Sequence, residues 1–215
     1  MTLKSELIPA EESGSRHLLI MLHGLGDSME GYRWVPEALA LPSLNYLLVN
    51  APDSYYGGYS WYDFAGDMVP GVVRSRKLLL ELLETQRKRG FAPKDIVLGG
   101  FSQGCLMSIE VGLRYPKRLA GILGISGYVC DPEKLITEMS ACAKEQRVLM
   151  THGTRDPMVP FPRVKEQVKF LRAAGINIEW HEFEKGHTIA GEEELRVVRE
   201  FIRKCYANEQ RIKPG

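Results

Sequence analysis

Residues 95–104, Asp-Ile-Val-Leu-Gly-Gly-Phe-Ser-Gln-Gly, determine how the rest of the sequence is interpreted. The apolar run that ends at Gly99 is typical of a buried strand, and residues 105–115 have the pattern of a helix. The motif between them, GxSxG around Ser102, is typical of a nucleophile elbow when it joins a strand to a helix. Glycines on both sides of the serine avoid collisions in such a strained turn. Ser102 is therefore the candidate nucleophile, and the alternative is a helix N-cap in a glycine-rich turn.

The same alternation of apolar runs and helical segments continues along the whole chain. Near-continuous apolar runs indicate strands that are buried on both faces, so we predict an α/β fold with a mostly parallel central sheet flanked by helices. The predicted strands are His17–Leu22, Tyr46–Val49, Ile96–Gly99, Gly121–Ile125, Arg147–Thr151 and Ile176–Phe183. The predicted helices include Val72–Arg89, Phe161–Ala174 and a last one from about Gly191 to Tyr206.

The composition is that of an ordinary globular protein, with 215 residues of which 44% are hydrophobic and 26% charged. No linker interrupts the alternation, so we expect a single domain over residues 1–215, with a core at about 10–207 and a polar tail at 208–215. The net charge of +1, without long blocks of one sign, argues against nucleic acid as a partner. The spacing of the four cysteines favours reduced thiols, and no signal-peptide or membrane-spanning run is found. We therefore expect a cytoplasmic protein without stable membrane insertion.

A serine hydroxyl becomes a useful nucleophile only when an imidazole takes its proton and a carboxylate orients that imidazole. With this motif the chain order is serine, acid, histidine. His187 lies in the loop after the last predicted strand, where a base can reach Ser102; the alternative is an exposed loop histidine. His181 falls within that strand, on the sheet surface. His152 precedes the candidate acid, so packing near the site is its expected role.

Two aspartates that precede proline are candidates for the acid. Asp131 opens a helical segment only 29 residues after Ser102, which favours a helix cap. Asp156 follows a predicted strand, and His187 comes 31 positions later, which leaves room for one helix and one strand between them. Asp156 is therefore the predicted orienting acid.

An oxyanion hole requires two backbone N–H groups near the nucleophile. One should belong to Gln103, the residue after Ser102, and the other to a loop after an early strand. Residues 23–27, His-Gly-Leu-Gly-Asp, form that loop, and Leu25 is the predicted second donor. His23 is expected to hold the loop in place.

Four motifs in this order resemble the phospholipase/carboxylesterase family, which includes the acyl-protein thioesterases. The motifs are residues 22–27, residues 99–104, the Trp61-Tyr62-Asp63 stretch and residues 153–160, and the resemblance extends over about residues 10 to 205. It implies an α/β-hydrolase fold without a large cap domain, and ester, thioester or lysophospholipid hydrolysis without metal or other cofactor. It also implies Ser102, Asp156 and His187 as the triad, Leu25 and Gln103 as oxyanion donors, and Trp61 at the acyl pocket. Cys105 stands where the family has a smaller residue, and we expect an inert, buried thiol there.

We therefore predict a serine carboxylesterase that hydrolyses carboxylic esters or thioesters through an acyl-enzyme, with a small-molecule ester or acyl thioester as substrate. Apolar residues that could line its pocket are Leu25, Trp61, Tyr62, Phe64, Met68, Met158 and Ile189. If they hold a long chain, the protein is a lysophospholipase or acyl-protein thioesterase. A non-catalytic small-molecule receptor is a further hypothesis, and so is a dienelactone-type hydrolase, although the latter normally has cysteine in place of Ser102. The short chain predicts an open, shallow site and is compatible with a monomer or a homodimer.

Overall fold

The computed structural model describes residues 2–207, and the polar tail predicted at 208–215 lies outside them. The strands are β1 (Ser5–Ile8), β2 (His17–Leu22), β3 (Leu44–Val49), β4 (Asp53–Tyr55), β5 (Gly58–Ser60), β6 (Ile96–Phe101), β7 (Gly121–Ile125), β8 (Val148–Gly153) and β9 (Ile178–Phe183). The helices are α1 (Val35–Leu39), α2 (Met68–Lys88), α3 (Gln103–Gly112), α4 (Pro132–Glu138), α5 (Phe161–Ala173) and α6 (Gly191–Ala207). Within residues 2–207, no helix is long and apolar enough to cross a lipid bilayer.

The central sheet has seven strands in the order β1-β3-β2-β6-β7-β8-β9. Neighbouring strands from β3 to β9 are parallel, whereas β1 is antiparallel to β3 at one edge. β4 and β5 form a separate hairpin. The predicted α/β class, a mostly parallel sheet flanked by helices, is confirmed.

All six predicted strands are present, although several of their ends differ by one or two residues. α2 begins at Met68, before the predicted Val72, because Asp67 caps it by accepting a 3.0 Å hydrogen bond from the Val69 N–H. β1 and the β4–β5 hairpin were not predicted. β1 is an edge strand that is partly exposed, and the hairpin strands have three residues each, so neither has a long apolar run to indicate it.

The core consists of two apolar layers, one on each face of the sheet. Along β2, Leu18, Ile20 and Leu22 pack into the first layer, while Leu19 and Met21 pack into the second. Side chains of α2 to α5 complete the first layer, and side chains of α1 and α6 complete the second. Because both faces are covered, the apolar runs are continuous, as predicted for strands buried on both faces.

The turn from β6 into α3 depends on the close approach of three backbone segments. A Cβ atom at Gly104 would overlap the carbonyl group of Leu22 at the end of β2. A Cβ atom at Gly100 would overlap the backbone of Gly104 itself. The two glycines of the GxSxG motif therefore avoid collisions in the turn, as predicted, and Gly104 also lets α3 pack directly against the end of β2.

We predict that Gly104→Ala destabilises the protein, because the new methyl group would meet backbone atoms that cannot move away alone. Overpacking of this kind costs about 1–3 kcal/mol or more, so the midpoint of thermal unfolding should fall by several degrees. Gly191→Ala is the matched control, since no atom lies within 4 Å of the position of its added Cβ. Equal unfolding midpoints for the two variants would contradict the interpretation of the elbow.

Candidate active site

Ser102 occupies the single residue between β6 and α3. Its backbone has φ 55° and ψ −114°, a conformation that L-residues rarely adopt. Its N–H donates to the Ile125 carbonyl at the end of β7 over 2.9 Å. Its side chain makes no capping hydrogen bond to α3, although Ser102 is at the N-cap position. The hydroxyl is thus directed away from the helix, which argues against the alternative of a simple helix cap.

The Ser102 hydroxyl belongs to a line of two side-chain hydrogen bonds. Its Oγ lies 2.9 Å from His187 Nε2, and His187 Nδ1 lies 2.7 Å from Asp156 Oδ2. A neutral imidazole that accepts the Ser102 proton at Nε2 carries its own proton on Nδ1 and donates it to Asp156. The structure therefore brings the three predicted catalytic side chains together in the predicted order.

Parallel strand geometry brings these side chains to one edge of the sheet. Ser102 follows β6, Asp156 follows β8 and His187 follows β9, so all three lie beyond the carboxyl ends of parallel strands. The rejected acid, Asp131, caps α4 by accepting a 3.0 Å hydrogen bond from the Lys134 N–H. The prediction of a helix cap at Asp131 is confirmed.

The Asp156 carboxylate is fully buried, and its second oxygen is also hydrogen-bonded. Oδ1 accepts hydrogen bonds from the N–H groups of Met158 and Val159, each over 2.9 Å. Burial acts to raise the pKa of the Asp156 carboxyl, but the hydrogen bonds from Val159 and His187 outweigh burial and lower this pKa below its usual value. The group therefore stays charged and can stabilise a protonated His187.

The loop at residues 23–27 packs directly against the elbow. A Cβ atom at Gly24 would lie 3.3 Å from Ser102 Cβ, so the loop backbone is next to the nucleophile. Within residues 2–207, the N–H groups of Leu25 and Gln103 have no hydrogen-bond acceptor. The Gln103 side chain is occupied elsewhere: it accepts from the Trp61 N–H over 2.9 Å and donates to the Tyr62 carbonyl over 3.0 Å.

His23 holds this loop in place, as predicted. Its Nε2 accepts a 3.0 Å hydrogen bond from the Ala51 N–H, and its protonated Nδ1 donates to the Gly24 carbonyl over 2.6 Å. Burial lowers the pKa of His23, which favours this neutral form. The indole of Trp61 donates to the His23 carbonyl over 2.9 Å.

A cavity of about 200 Å³ opens beside Ser102. Phe64 and Met158 line it and are each more than half exposed, which leaves its rim open. Phe101 and Tyr128 were not predicted as lining residues, although Phe101 is the last residue of β6 and Tyr128 follows β7 at this edge of the sheet. The lining residues are Gly24, Leu25, Asp27, Tyr62, Phe64, Phe101, Ser102, Gln103, Tyr128, Met158, Val159 and His187.

Of the seven residues predicted to line the pocket, Leu25, Tyr62, Phe64 and Met158 line this cavity, whereas Trp61, Met68 and Ile189 do not. Trp61 is fully buried, with its indole N–H directed at the His23 carbonyl, so it supports the loop from behind. Ile189 packs against the second core layer next to α6. Met68 lies at a different surface groove. Sequence order alone did not show on which side of the backbone these residues lie.

Cys105 is fully buried directly behind the elbow. A Cβ atom on Gly124 or Gly127 would lie 2.6 Å from its Sγ, so these glycines provide the space for the larger side chain. Burial raises the pKa of the Cys105 thiol to about 12. The thiolate is therefore strongly disfavoured, in line with the expectation of an inert thiol.

His152 and His181 lie where the sequence suggested. His152 is fully buried, stacks with Phe161 and Trp180, and donates from Nε2 to the Val159 carbonyl over 3.0 Å. Its Nε2 is 3.7 Å from Asp156 Oδ2, so it packs beside the acid. His181 lies on β9 and contacts Glu179 over 2.9 Å. In the part of the chain that the structure describes, no group of three or more His, Cys, Asp or Glu side chains is arranged to hold a metal ion.

The chain is similar in sequence to proteins that are already known. The sequence model of a family described as Phospholipase/Carboxylesterase matches residues 3–206. Acyl-protein thioesterase 1 of Schizosaccharomyces pombe is 36% identical over 166 residues, which cover 71% of this chain and 74% of that protein. Acyl-protein thioesterase 1 of Yarrowia lipolytica is 30% identical over 207 residues, with 87% and 91% covered.

Solved structures agree with these sequence relationships. Esterase PE8, whose crystal structure is known, has 30% sequence identity to this chain. The two structures superpose with a TM-score of 0.83 over 95% of this chain and 100% of PE8. The structure of Arabidopsis thaliana SOBER1 is 26% identical, with a TM-score of 0.80 and coverage of 88% and 98%. The fold is therefore the α/β-hydrolase fold.

We predict that the free energy of unfolding depends on pH through His152. Burial lowers the pKa of His152, so below about pH 6.5 the unfolded chain binds a proton that the folded chain does not. Stability should therefore fall as the pH drops below about 6.5. His152→Phe keeps an aromatic ring in the stack but cannot titrate, so its unfolding free energy should depend less on pH. Urea unfolding at several pH values between 5 and 7 measures the free energy of unfolding. If this free energy changed equally with pH in the wild type and the variant, the prediction would be refuted.

Proposed function

Because the chain belongs to the phospholipase/carboxylesterase family, whose enzymes are serine hydrolases, we propose that it hydrolyses carboxylic esters or thioesters through Ser102, His187 and Asp156. One observation carries the proposal: the hydrogen-bonded line from Ser102 Oγ through His187 to Asp156 opens into a cavity next to two free N–H groups. This arrangement combines a nucleophile, a base, an orienting acid and an oxyanion site.

In the acylation step, Ser102 Oγ attacks the carbonyl carbon of the substrate while His187 Nε2 takes the hydroxyl proton. The N–H groups of Leu25 and Gln103 donate to the oxygen that becomes negatively charged. The tetrahedral intermediate then collapses. The bond to the leaving alcohol or thiol breaks, His187 returns the proton to the leaving group, and the acyl group remains on Ser102.

In the deacylation step, His187 takes a proton from water, and the resulting hydroxide attacks the acyl carbon on Ser102. Collapse of the second intermediate releases the carboxylic acid, and the proton on His187 returns to Ser102 Oγ. In both steps the buried Asp156 carboxylate stabilises the imidazolium. It also fixes the tautomer of the neutral ring that carries the proton on Nδ1.

The size and lining of the cavity favour a small, uncharged acyl group. A volume of about 200 Å³ lies below the range of about 300–1,000 Å³ typical of sites for drug-sized ligands. Its lining is mainly apolar and aromatic. The hydroxyl groups of Tyr62 and Tyr128 are hydrogen-bonded to each other over 3.2 Å, which joins two walls of the cavity.

The second candidate function is hydrolysis of long-chain acyl esters or thioesters, as by a lysophospholipase or an acyl-protein thioesterase. Several relatives have the name acyl-protein thioesterase. A larger groove of about 870 Å³, with Met68, Val69 and Phe170 among its lining residues, lies between α2, α4 and α5 and favours this candidate.

We predict that Ser102→Ala lowers the rate of p-nitrophenyl ester hydrolysis by on the order of 10⁴ to 10⁶, because it removes the nucleophile. A fluorophosphonate should label the wild-type protein on Ser102 and leave the variant unlabelled. Ser140→Ala is the control, since the Ser140 hydroxyl contacts Cys142 Sγ over 3.3 Å and Ser140 does not line the cavity. Wild-type protein that binds esters without being labelled would indicate a receptor and refute the proposal.

We further predict that kcat/KM is highest for p-nitrophenyl acetate to hexanoate and at least about tenfold lower for dodecanoate, because the rings of Tyr62 and Tyr128 line the cavity and limit its size. Tyr128→Ala should raise kcat/KM for dodecanoate relative to acetate. Tyr128→Phe is the matched control, since it keeps the ring and loses only the hydroxyl. A rate profile that rises with chain length in the wild type would favour the second candidate.

A further inference from the structure

His187 lies in an irregular segment between β9 and α6, at residues 184–190. Loops are usually more mobile than the elements they connect. A general base, however, must be held to within a fraction of an ångström of the proton it takes. The contacts that hold this segment are therefore part of what determines the rate.

A buried ion pair joins this segment to α6. Lys185 Nζ lies 2.5 Å from Glu194 Oε1 and 2.7 Å from Oε2, and the two side chains are only 4% and 0% exposed. Lysine and glutamate are almost never buried to this extent unless they are paired. Neither residue lines the cavity beside Ser102, so the pair has no direct access to a substrate there.

The same two side chains also bind the backbone on the far side of His187. Lys185 Nζ donates to the Thr188 carbonyl over 2.8 Å, and Glu194 Oε2 accepts from the Ala190 N–H over 2.5 Å. The three ammonium protons of Lys185 thus have three acceptors, two on Glu194 and one on Thr188. His187 therefore lies between Lys185 on one side and Thr188 and Ala190 on the other. The ion pair connects these residues to each other and to α6.

Further backbone contacts connect Lys185 and its segment to the rest of the site. The backbone carbonyl of Lys185 accepts a 3.1 Å hydrogen bond from the Arg155 N–H, next to Asp156. A Cβ atom on Gly153 would overlap that same carbonyl, so the two loops are in close contact. Thr188 also donates its N–H to the Gly186 carbonyl over 3.0 Å, which forms a tight turn with His187 at its centre. The acid-bearing and base-bearing loops therefore meet at Lys185.

We propose that Lys185 and Glu194 are positioning residues that set the orientation of His187 relative to Ser102 and Asp156. The expected effect of this pair on the reaction rate rests on the proposed function. Apolar contacts are non-directional and could fill the same space without fixing the backbone around His187. The hydrogen bonds to the Thr188 carbonyl and from the Ala190 N–H are directional. The ion pair therefore determines the backbone geometry of the segment. Apolar side chains at the same two positions could fill the space but would not determine that geometry.

The test is the double variant K185M/E194L, which removes both charges and keeps apolar volume. Replacement of a buried ion pair by apolar residues is often neutral or stabilising, so the variant should fold, whereas Lys185→Met alone would leave a buried carboxylate unpaired. We expect kcat for a p-nitrophenyl ester to fall by about 10- to 100-fold with KM unchanged. We also expect the downfield proton resonance of the His187–Asp156 hydrogen bond to be lost or broadened.

The matched control is K165M/E182L, which removes an ion pair of 2.9 Å between α5 and β9 that makes no contact with residues 185–190. This variant should keep both kcat and the downfield resonance. A folded K185M/E194L variant with wild-type kcat and an unchanged resonance would overturn the proposal.

If K185M/E194L does not fold, K185Q/E194Q replaces it, since the amide pair is neutral and polar and a glutamine side chain is too short to reach both partners of Lys185. Failure of both double variants to fold would also overturn the proposal, because the pair would then be required for folding itself. The proton resonance does not depend on substrate turnover. A wild-type protein that neither hydrolyses esters nor reacts with a fluorophosphonate, but whose resonance depends on the Lys185–Glu194 pair, would refute the proposed function and leave the positioning role standing.

Discussion

At the end of β6 the chain turns from strand to helix within one residue, and this turn is made possible by contact between backbones. Gly104 lies against the Leu22 carbonyl, and Gly100 lies against Gly104, with no room for a side chain at either position. The same contact fixes Ser102 at φ 55°, a conformation that costs about 1–3 kcal/mol and persists only where the surroundings enforce it. The hydrogen bond from the Ser102 N–H to the Ile125 carbonyl ties the turn to β7. The hydroxyl of Ser102 is exposed to a substrate because its backbone is held in this way.

The elbow also organises what lies around it. Since α3 is close to β2, the loop that follows β2 passes beside Ser102, and Gly24 packs against the Ser102 side chain. Gln103 uses its side chain to hold the Trp61 and Tyr62 backbone, which leaves its own N–H free to face the cavity. The side chains of His23, Gln103 and Asp156 are thus each hydrogen-bonded to neighbouring groups of the site. His23 is kept neutral by burial, while the hydrogen bonds to Asp156 keep this carboxylate charged.

Much of the candidate site could be predicted from local pattern. The GxSxG motif between an apolar run and a helical segment indicated Ser102, and chain order then left His187 and Asp156 as base and acid. Both lie within hydrogen-bond distance of their expected partners. The reason is that parallel strands all point one way, so residues that follow them meet at one edge even when 85 positions separate them in the sequence. Leu25 and Gln103 could be predicted for the same reason, because each follows such a strand.

The remaining features depend on which way side chains point, and a sequence pattern does not contain that information. Trp61 and Tyr62 are neighbours, yet Trp61 is buried under the loop and Tyr62 lines the cavity. Tyr128 lines the cavity without any motif to indicate it, and Phe101 occupies a position of the GxSxG motif that can hold any residue. Lys185 and Glu194 look like ordinary surface charges in the sequence, and only the tertiary structure brings them together in a buried ion pair. The sequence by itself determined the order of the six parallel strands and of the longer helices, and the residues that follow the strands, because apolar periodicity and the glycines that interrupt it are local features. The tertiary structure decided which side chains face the substrate and which support them, because burial and pairing depend on contacts between distant parts of the chain.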